Sequence, residues 1–181
     1  MKKKNNDDLW IYVSILSALM IFAEALKSCI FRVAYVDLTY SIFLLPVSFF
    51  LVNYIARKYD YRKAIAAIAI SSVMFASFSG IMSFVFVEKL MISSVIGEVC
   101  AYVISQLISL FLYLYIISNH KTKYALILLN YIFALVIFYM IYTLIYLNII
   151  VGDTYWLGYF ITLVIQLVIC IFLTLFEKKI K

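Results

Sequence analysis

Apolar residues in this chain come in long, nearly unbroken blocks, without the strict alternation of half-buried strands. Six blocks stand out, near residues 9–33, 36–56, 64–87, 91–117, 124–149 and 154–176. Each approaches or exceeds the length of about 20 apolar residues that an α-helix needs to cross a bilayer. A transmembrane β-barrel would instead show alternating segments of about 10 residues. The pattern predicts an all-α, polytopic membrane protein with six transmembrane helices. Its organisation is a basic N-terminal segment (1–8), a six-helix domain (9–177) and a basic tail (178–181).

Composition sharpens this reading. Of 181 residues, 67% are apolar and 13% charged, against about 45–50% and 25% in soluble domains. The mean hydropathy is +1.10, and no stretch is left over for a separate soluble domain.

The net charge of +6 gains meaning from its placement. Lys2, Lys3 and Lys4, then Arg57, Lys58, Arg62 and Lys63, then Lys121 and Lys123, and finally Lys178, Lys179 and Lys181 fall on one side of the predicted membrane. Only Arg32 and Lys89 fall on the other, and Lys27 lies inside a span. The positive-inside rule then puts both termini in the cytoplasm, where the anionic cytoplasmic leaflet suits the basic rim. The basic excess is a topology signal and implies no nucleic-acid partner. The first block also has a signal-peptide outline, with three lysines, an apolar run and Ala23-Glu24-Ala25. Asp7 and Asp8 interrupt that outline, and cleavage would reverse the charge bias, so the block is read as a retained span.

Enzyme and metal signatures are lacking. Cys29, Cys100 and Cys170 fall within predicted helices without a ligand spacing, and His120 lies in a basic loop. Gly80, Gly97, Gly152 and Gly158 form no phosphate-cradling loop. The expectation is a non-enzyme without metal or cofactor.

The informative residues are polar groups inside the spans. A charge at a helix centre costs about 2.5–3.5 kcal/mol on insertion scales, so such groups usually face a bundle interior or cavity. Glu24 and Lys27 are spaced to share one helix face. Glu98, Tyr102, Ser105, Gln106 and Ser109 follow one helical stripe. Lys27 and Glu98 each lie about 9–10 Å from the outer ends of their predicted helices, so Glu24, Lys27 and Glu98 are expected in one layer. With all three ionised, two carboxylates and one ammonium leave one negative charge uncompensated, suited to a proton, a cation or a ligand rich in hydrogen-bond donors. Tyr102, Tyr131, Tyr139 and Tyr142 lie deep enough to stack on a planar ligand, while Trp10, Tyr12, Tyr59, Tyr61, Tyr124, Tyr155 and Trp156 suit the membrane interfaces.

Two rows of small residues, Ser72-Ala76-Gly80 and Gly97-Ala101-Ser105, allow the third and fourth helices to approach each other or a membrane-protein partner, including a second copy. Pro46, placed mid-span, frees the Ile42 carbonyl and should bend the second helix.

With these residues in view, Ala25-Leu26-Lys27 and Leu45-Pro46-Val47-Ser48-Phe49, followed by Asn53, Tyr59 and Ala64, resemble the first half of the VUT family of queuosine precursor transporters. The segment Ala101-Tyr102-Val103-Ile104-Ser105-Gln106-Leu107-Ile108 resembles that family's Ala-Tyr-Leu-Ile-Ser-Gln-Leu-Ile run. The resemblance implies a six-helix importer of the bacterial inner membrane that carries small heterocycles, the deazaguanine precursors of queuosine, with Lys27, Ser105 and Gln106 near the ligand. The chain departs from the pattern at Asn53 and Arg57, where the family has acidic residues, and at Asp60, where it has glycine. Ser109 stands where an aspartate is usual, and Asn130 is the main polar remnant of the fifth helix.

The expectation is therefore a small-solute transporter in the lipid bilayer, with substrate contacts at Glu24, Lys27, Asn53, Glu98, Tyr102, Ser105, Gln106 and Asn130. The alternatives are a non-transporting membrane subunit or scaffold held to a partner through helices 3 and 4, and the substrate-binding subunit of an energy-coupling-factor vitamin importer.

Overall fold

The computed structural model describes residues 7–33, 36–85, 92–119, 124–146 and 155–179. Lys2–Lys4, Lys89, His120, Lys121, Lys123, Gly152 and Lys181 lie outside the described residues.

Among the described residues six α-helices make up most of the structure: α1 (Asp7–Ala25), α2 (Leu44–Lys58), α3 (Tyr61–Val85), α4 (Ile92–Asn119), α5 (Tyr124–Tyr146) and α6 (Tyr155–Lys179). Taken with the turn that precedes α2, all six are long and apolar enough to cross a bilayer, and the chain reads as a multi-pass membrane protein. Large apolar side chains such as Phe22, Val73, Phe111, Leu129, Phe160 and Phe172 point outward. Glu24, Ser48, Asn53, Glu98, Gln106, Asn130, Gln166 and Glu177 are buried. This arrangement suits lipid as the outer solvent, because buried polar groups then find partners only within the bundle.

The first two blocks are organised differently from the expectation. The first helix does not run to residue 33 but ends at Ala25, followed by a 3-10 turn over Leu26–Ser28. An antiparallel hairpin follows, β1 (Ile30–Val33) and β2 (Val36–Thr39), with Arg32 opposite Asp37 in the register. A second 3-10 turn, Tyr40–Phe43, leads into α2. Residues 30–39 are rich in β-branched and aromatic side chains, which favour strand over helix. The Tyr40 amide donates to the Cys29 carbonyl at 3.1 Å and closes the hairpin base. Cys29 therefore lies between a turn and a strand, outside any α-helix, and is exposed.

Pro46 is likewise displaced from its expected mid-helix position. It occupies the first turn of α2, where a missing N–H costs little. The Ile42 carbonyl is not orphaned, since Gln166 on α6 donates its Nε2 to it at 2.9 Å.

Helix α4 is the hub, packed on α2, α3 and α5, while α1 packs on α2 and α3, and α6 mainly on α5 and α2. The contact between α3 and α4 fits the small-residue rows: Gly97, Ala101 and Ser105 are buried. Around Gly80, by contrast, a methyl group would meet no atom within 4 Å. One end of the bundle collects the start of α1 and the ends of α2 and α6, through Lys58 to Asp8 (3.8 Å) and Arg57 to Glu177 (3.5 Å). This is called the basic end below, and the opposite one the hairpin end. At the basic end Lys58 sits over the rings of Tyr12 and Tyr59 at 4.6 and 5.2 Å, and its Nζ donates to the Tyr12 hydroxyl at 3.1 Å. Long basic side chains with interfacial tyrosines are the expected anchors at a membrane boundary.

Candidate functional site

The hairpin end carries a charged cluster. Glu24 sits in the last turn of α1, Lys27 in the 3-10 turn just after it, and Glu98 in the first two turns of α4. The Lys27 ammonium is paired with both carboxylates at once. Ser79 on α3 donates to Glu24 Oε1 at 2.9 Å, and the Tyr142 phenol on α5 faces Glu98. Lys27 Nζ also lies 5.5 Å from the centre of the Phe75 ring, within cation–π range. The expected shared layer of Glu24, Lys27 and Glu98 is thus formed. For Lys27 the depth is smaller than the sequence suggested, since it falls just past the helix that ends at Ala25, whereas Glu98 lies six residues, or about 9 Å, into α4, which starts at Ile92. Early termination of α1 is the cause. The lysine side chain keeps 36% of its surface accessible, whereas the carboxylates keep 7% and 11%. The cation therefore forms the mouth of the site and the acids its floor.

Below this layer the polar stripe of α4 runs into the bundle. Glu98, Tyr102, Ser105, Gln106 and Ser109 are all buried, as their helical spacing requires. The Tyr102 hydroxyl shares a 3.0 Å hydrogen bond with Ser71 on α3. Gln106 Nε2 donates to Ser48 on α2 at 2.8 Å, while Ser48 donates back to the Leu45 carbonyl at 2.7 Å. Deeper still, Asn53 on α2 and Asn130 on α5 both donate to the Ser109 hydroxyl, at 3.3 and 3.1 Å. Ser105 donates only to the Tyr102 carbonyl of its own helix, at 3.0 Å.

These interactions use the N–H sides of three amides and leave the carbonyl sides without partners. Gln106 Oε1, Asn53 Oδ1 and Asn130 Oδ1 are buried with no hydrogen bond among the described residues. An unsatisfied buried acceptor costs about 1–3 kcal/mol, so such oxygens are suited to receive N–H or O–H donors from a ligand. No protein-family model, curated protein or solved structure matches the chain. The site therefore rests on its own geometry. Among the described residues no group of three or more His, Cys, Asp or Glu is placed to hold a metal.

The deep tyrosines divide. Tyr102 and Tyr131 are fully buried within the core and their hydroxyls are engaged by Ser71 and by Glu177, the latter at 3.2 Å. Tyr139 and Tyr142 pack on Phe138, edge-on at 5.4 Å and stacked at 6.2 Å. Tyr142 lies beside the charged cluster, at Glu98.

Sequence reasoning missed a second cluster at the basic end. Glu177, only 4% exposed, accepts from the Tyr113 hydroxyl and, through its other oxygen, from Tyr131. Arg57 is its cation, and Asn53 neighbours Tyr131, which links this cluster to the amide layer. The available signal was a period on α6: Thr162, Gln166, Cys170, Thr174 and Glu177 are spaced as one helical stripe, and all are buried.

Proposed function

We propose that the chain is a small-solute transporter, with its basic end and both termini in the cytoplasm as the positive-inside bias implies. The carrying observation is a continuous set of buried polar groups along one face of α4, from Glu98 to Tyr113. At 1.5 Å per residue these fifteen steps span about 22 Å, most of a hydrocarbon core about 30 Å thick. A bundle that needed only stability would do as well with apolar packing, since buried ion pairs are weak stabilisers. Intramembrane charge and unpaired buried acceptors are better explained by a solute that supplies the missing donors.

The ligand chemistry follows from the donor set. Glu24, Glu98 and the free oxygens of Gln106, Asn53 and Asn130 are acceptors, and Lys27 supplies the donor. A compact, uncharged or cationic heterocycle with several N–H groups and one carbonyl fits this balance. The deazaguanine precursors of queuosine, the substrates implied by the resemblance to the VUT family, have that character. In this reading Lys27 and the two carboxylates orient the entering solute, Gln106 and the asparagines receive it, and helix movements around the site alternate its access.

Uptake of labelled deazaguanine by bacterial cells expressing the chain tests the reading. Lys27→Ala and Gln106→Ala are expected to abolish uptake while the protein remains inserted and folded. Unchanged uptake in both variants would remove the site assignment.

A further inference from the structure

We propose that Glu177 is a latch that closes the solute route at the basic end, held shut by Arg57, Tyr113 and Tyr131; the proposal rests on the transport reading above. Helix α6 meets the bundle through the buried stripe of Thr162, Gln166, Cys170, Thr174 and Glu177, and the carboxylate at its last turn joins it to three other helices. Arg57 comes from α2, Tyr113 from α4 and Tyr131 from α5. The cluster lies where the polar face of α4 ends, one turn beyond Ser109, which holds Asn53 and Asn130. It is thus the last barrier between the buried amides and the basic surface. A carboxylate that collects two phenols and a guanidinium makes charge-assisted hydrogen bonds, stronger than neutral ones. Releasing Glu177 breaks its ties from the end of α6 to α2, α4 and α5 together and leaves Lys178 over the Tyr124 ring of α5 at 5.8 Å.

A native reporter lies behind the latch. Cys170 is fully buried among Tyr113, Tyr131 and Leu135, seven residues before Glu177 on the same face of α6 and about 10 Å along its axis. Outward movement of the end of α6 exposes this thiol. Labelling of Cys170 by N-ethylmaleimide is therefore measured on the full chain in nanodiscs, in a Cys29→Ser, Cys100→Ser background, without any solute. Glu177→Gln and Arg57→Gln are expected to accelerate labelling by about tenfold or more, as loss of hydrogen bonds to a charged group implies. Tyr113→Phe, which keeps the ring, is expected to accelerate it less. Tyr12→Phe, which breaks a tie between α1 and α2 at the same end, is expected to leave the rate unchanged. Labelling rates equal to the parent in the Glu177 and Arg57 variants would overturn the latch, as would equal acceleration by Tyr12→Phe, which would mean general loosening. A variant that no longer melts cooperatively is replaced by Tyr113→Phe and Tyr131→Phe together, judged by the same rate. Because no solute is used, a latch that fails here leaves the uptake results standing, and absent uptake with a responsive Cys170 would refute the solute route while leaving Glu177 as the tie that holds the end of α6.

Discussion

Replacing Lys27 by alanine removes the one cation shared by Glu24 and Glu98 and changes the charge of the cluster from one excess negative charge to two. Breaking a fully buried ion pair by removing one partner costs about 3–5 kcal/mol. Lys27 keeps 36% of its side chain accessible, so solvent screening reduces the expected cost to about 2 kcal/mol. For a chain of this size that is a fall in Tm of about 4–8 °C. Adding Glu98→Gln to Lys27→Ala returns the cluster to one excess negative charge, and about half of the loss should be recovered. Thermal unfolding of the four proteins of this cycle in one detergent, followed by intrinsic fluorescence, reads the coupling directly. Strict additivity of Lys27→Ala and Glu98→Gln would refute the shared cation, because two residues without common interactions show no coupling.

Four further outcomes follow from the packing. Gln166→Leu leaves the Ile42 carbonyl without its 2.9 Å donor and should lower stability by about 1–2 kcal/mol in the same melting assay. Pro46→Ala should change stability by less than about 1 kcal/mol, because Pro46 lies in the first turn of α2, whereas a proline in a helix interior costs about 3 kcal/mol. Gly80→Ala should be neutral or stabilising by up to about 1 kcal/mol, since the added methyl meets nothing. Ala101→Leu, at a fully buried position, should cost about 1–3 kcal/mol by overpacking, with a matching fall in Tm.

The six spans were legible because hydropathy responds to length and apolarity, the two properties a bilayer demands. The α4 stripe was legible for a related reason: Glu98, Tyr102, Gln106 and Ser109 are too polar for lipid, and helical spacing puts them on one face. The hairpin was not, because Ile30, Phe31, Val36 and Leu38 are as apolar as any helical run, and hydropathy does not distinguish a strand from a helix. The β-branched Ile30 and Val36 and the aromatic Phe31 were the one cue. That error carried into the depth of Lys27, which was counted from a helix end that does not exist. Glu177 escaped notice because it stands between Phe176 and Lys178 and reads as part of a solvated tail. Its burial depends on Tyr113 and Tyr131, residues 64 and 46 positions away, and no local pattern reports such a pairing. Arg57 was counted as a topology signal for the same reason, although it also serves as the partner of that carboxylate.

Saturable uptake of labelled deazaguanine into proteoliposomes containing only the purified chain tests the central claim most directly. The expected result is accumulation above protein-free vesicles that saturates with solute and disappears in Gln106→Ala. Uptake that matches protein-free vesicles, or that is unaffected by Gln106→Ala, would contradict a solute route along the buried face of α4.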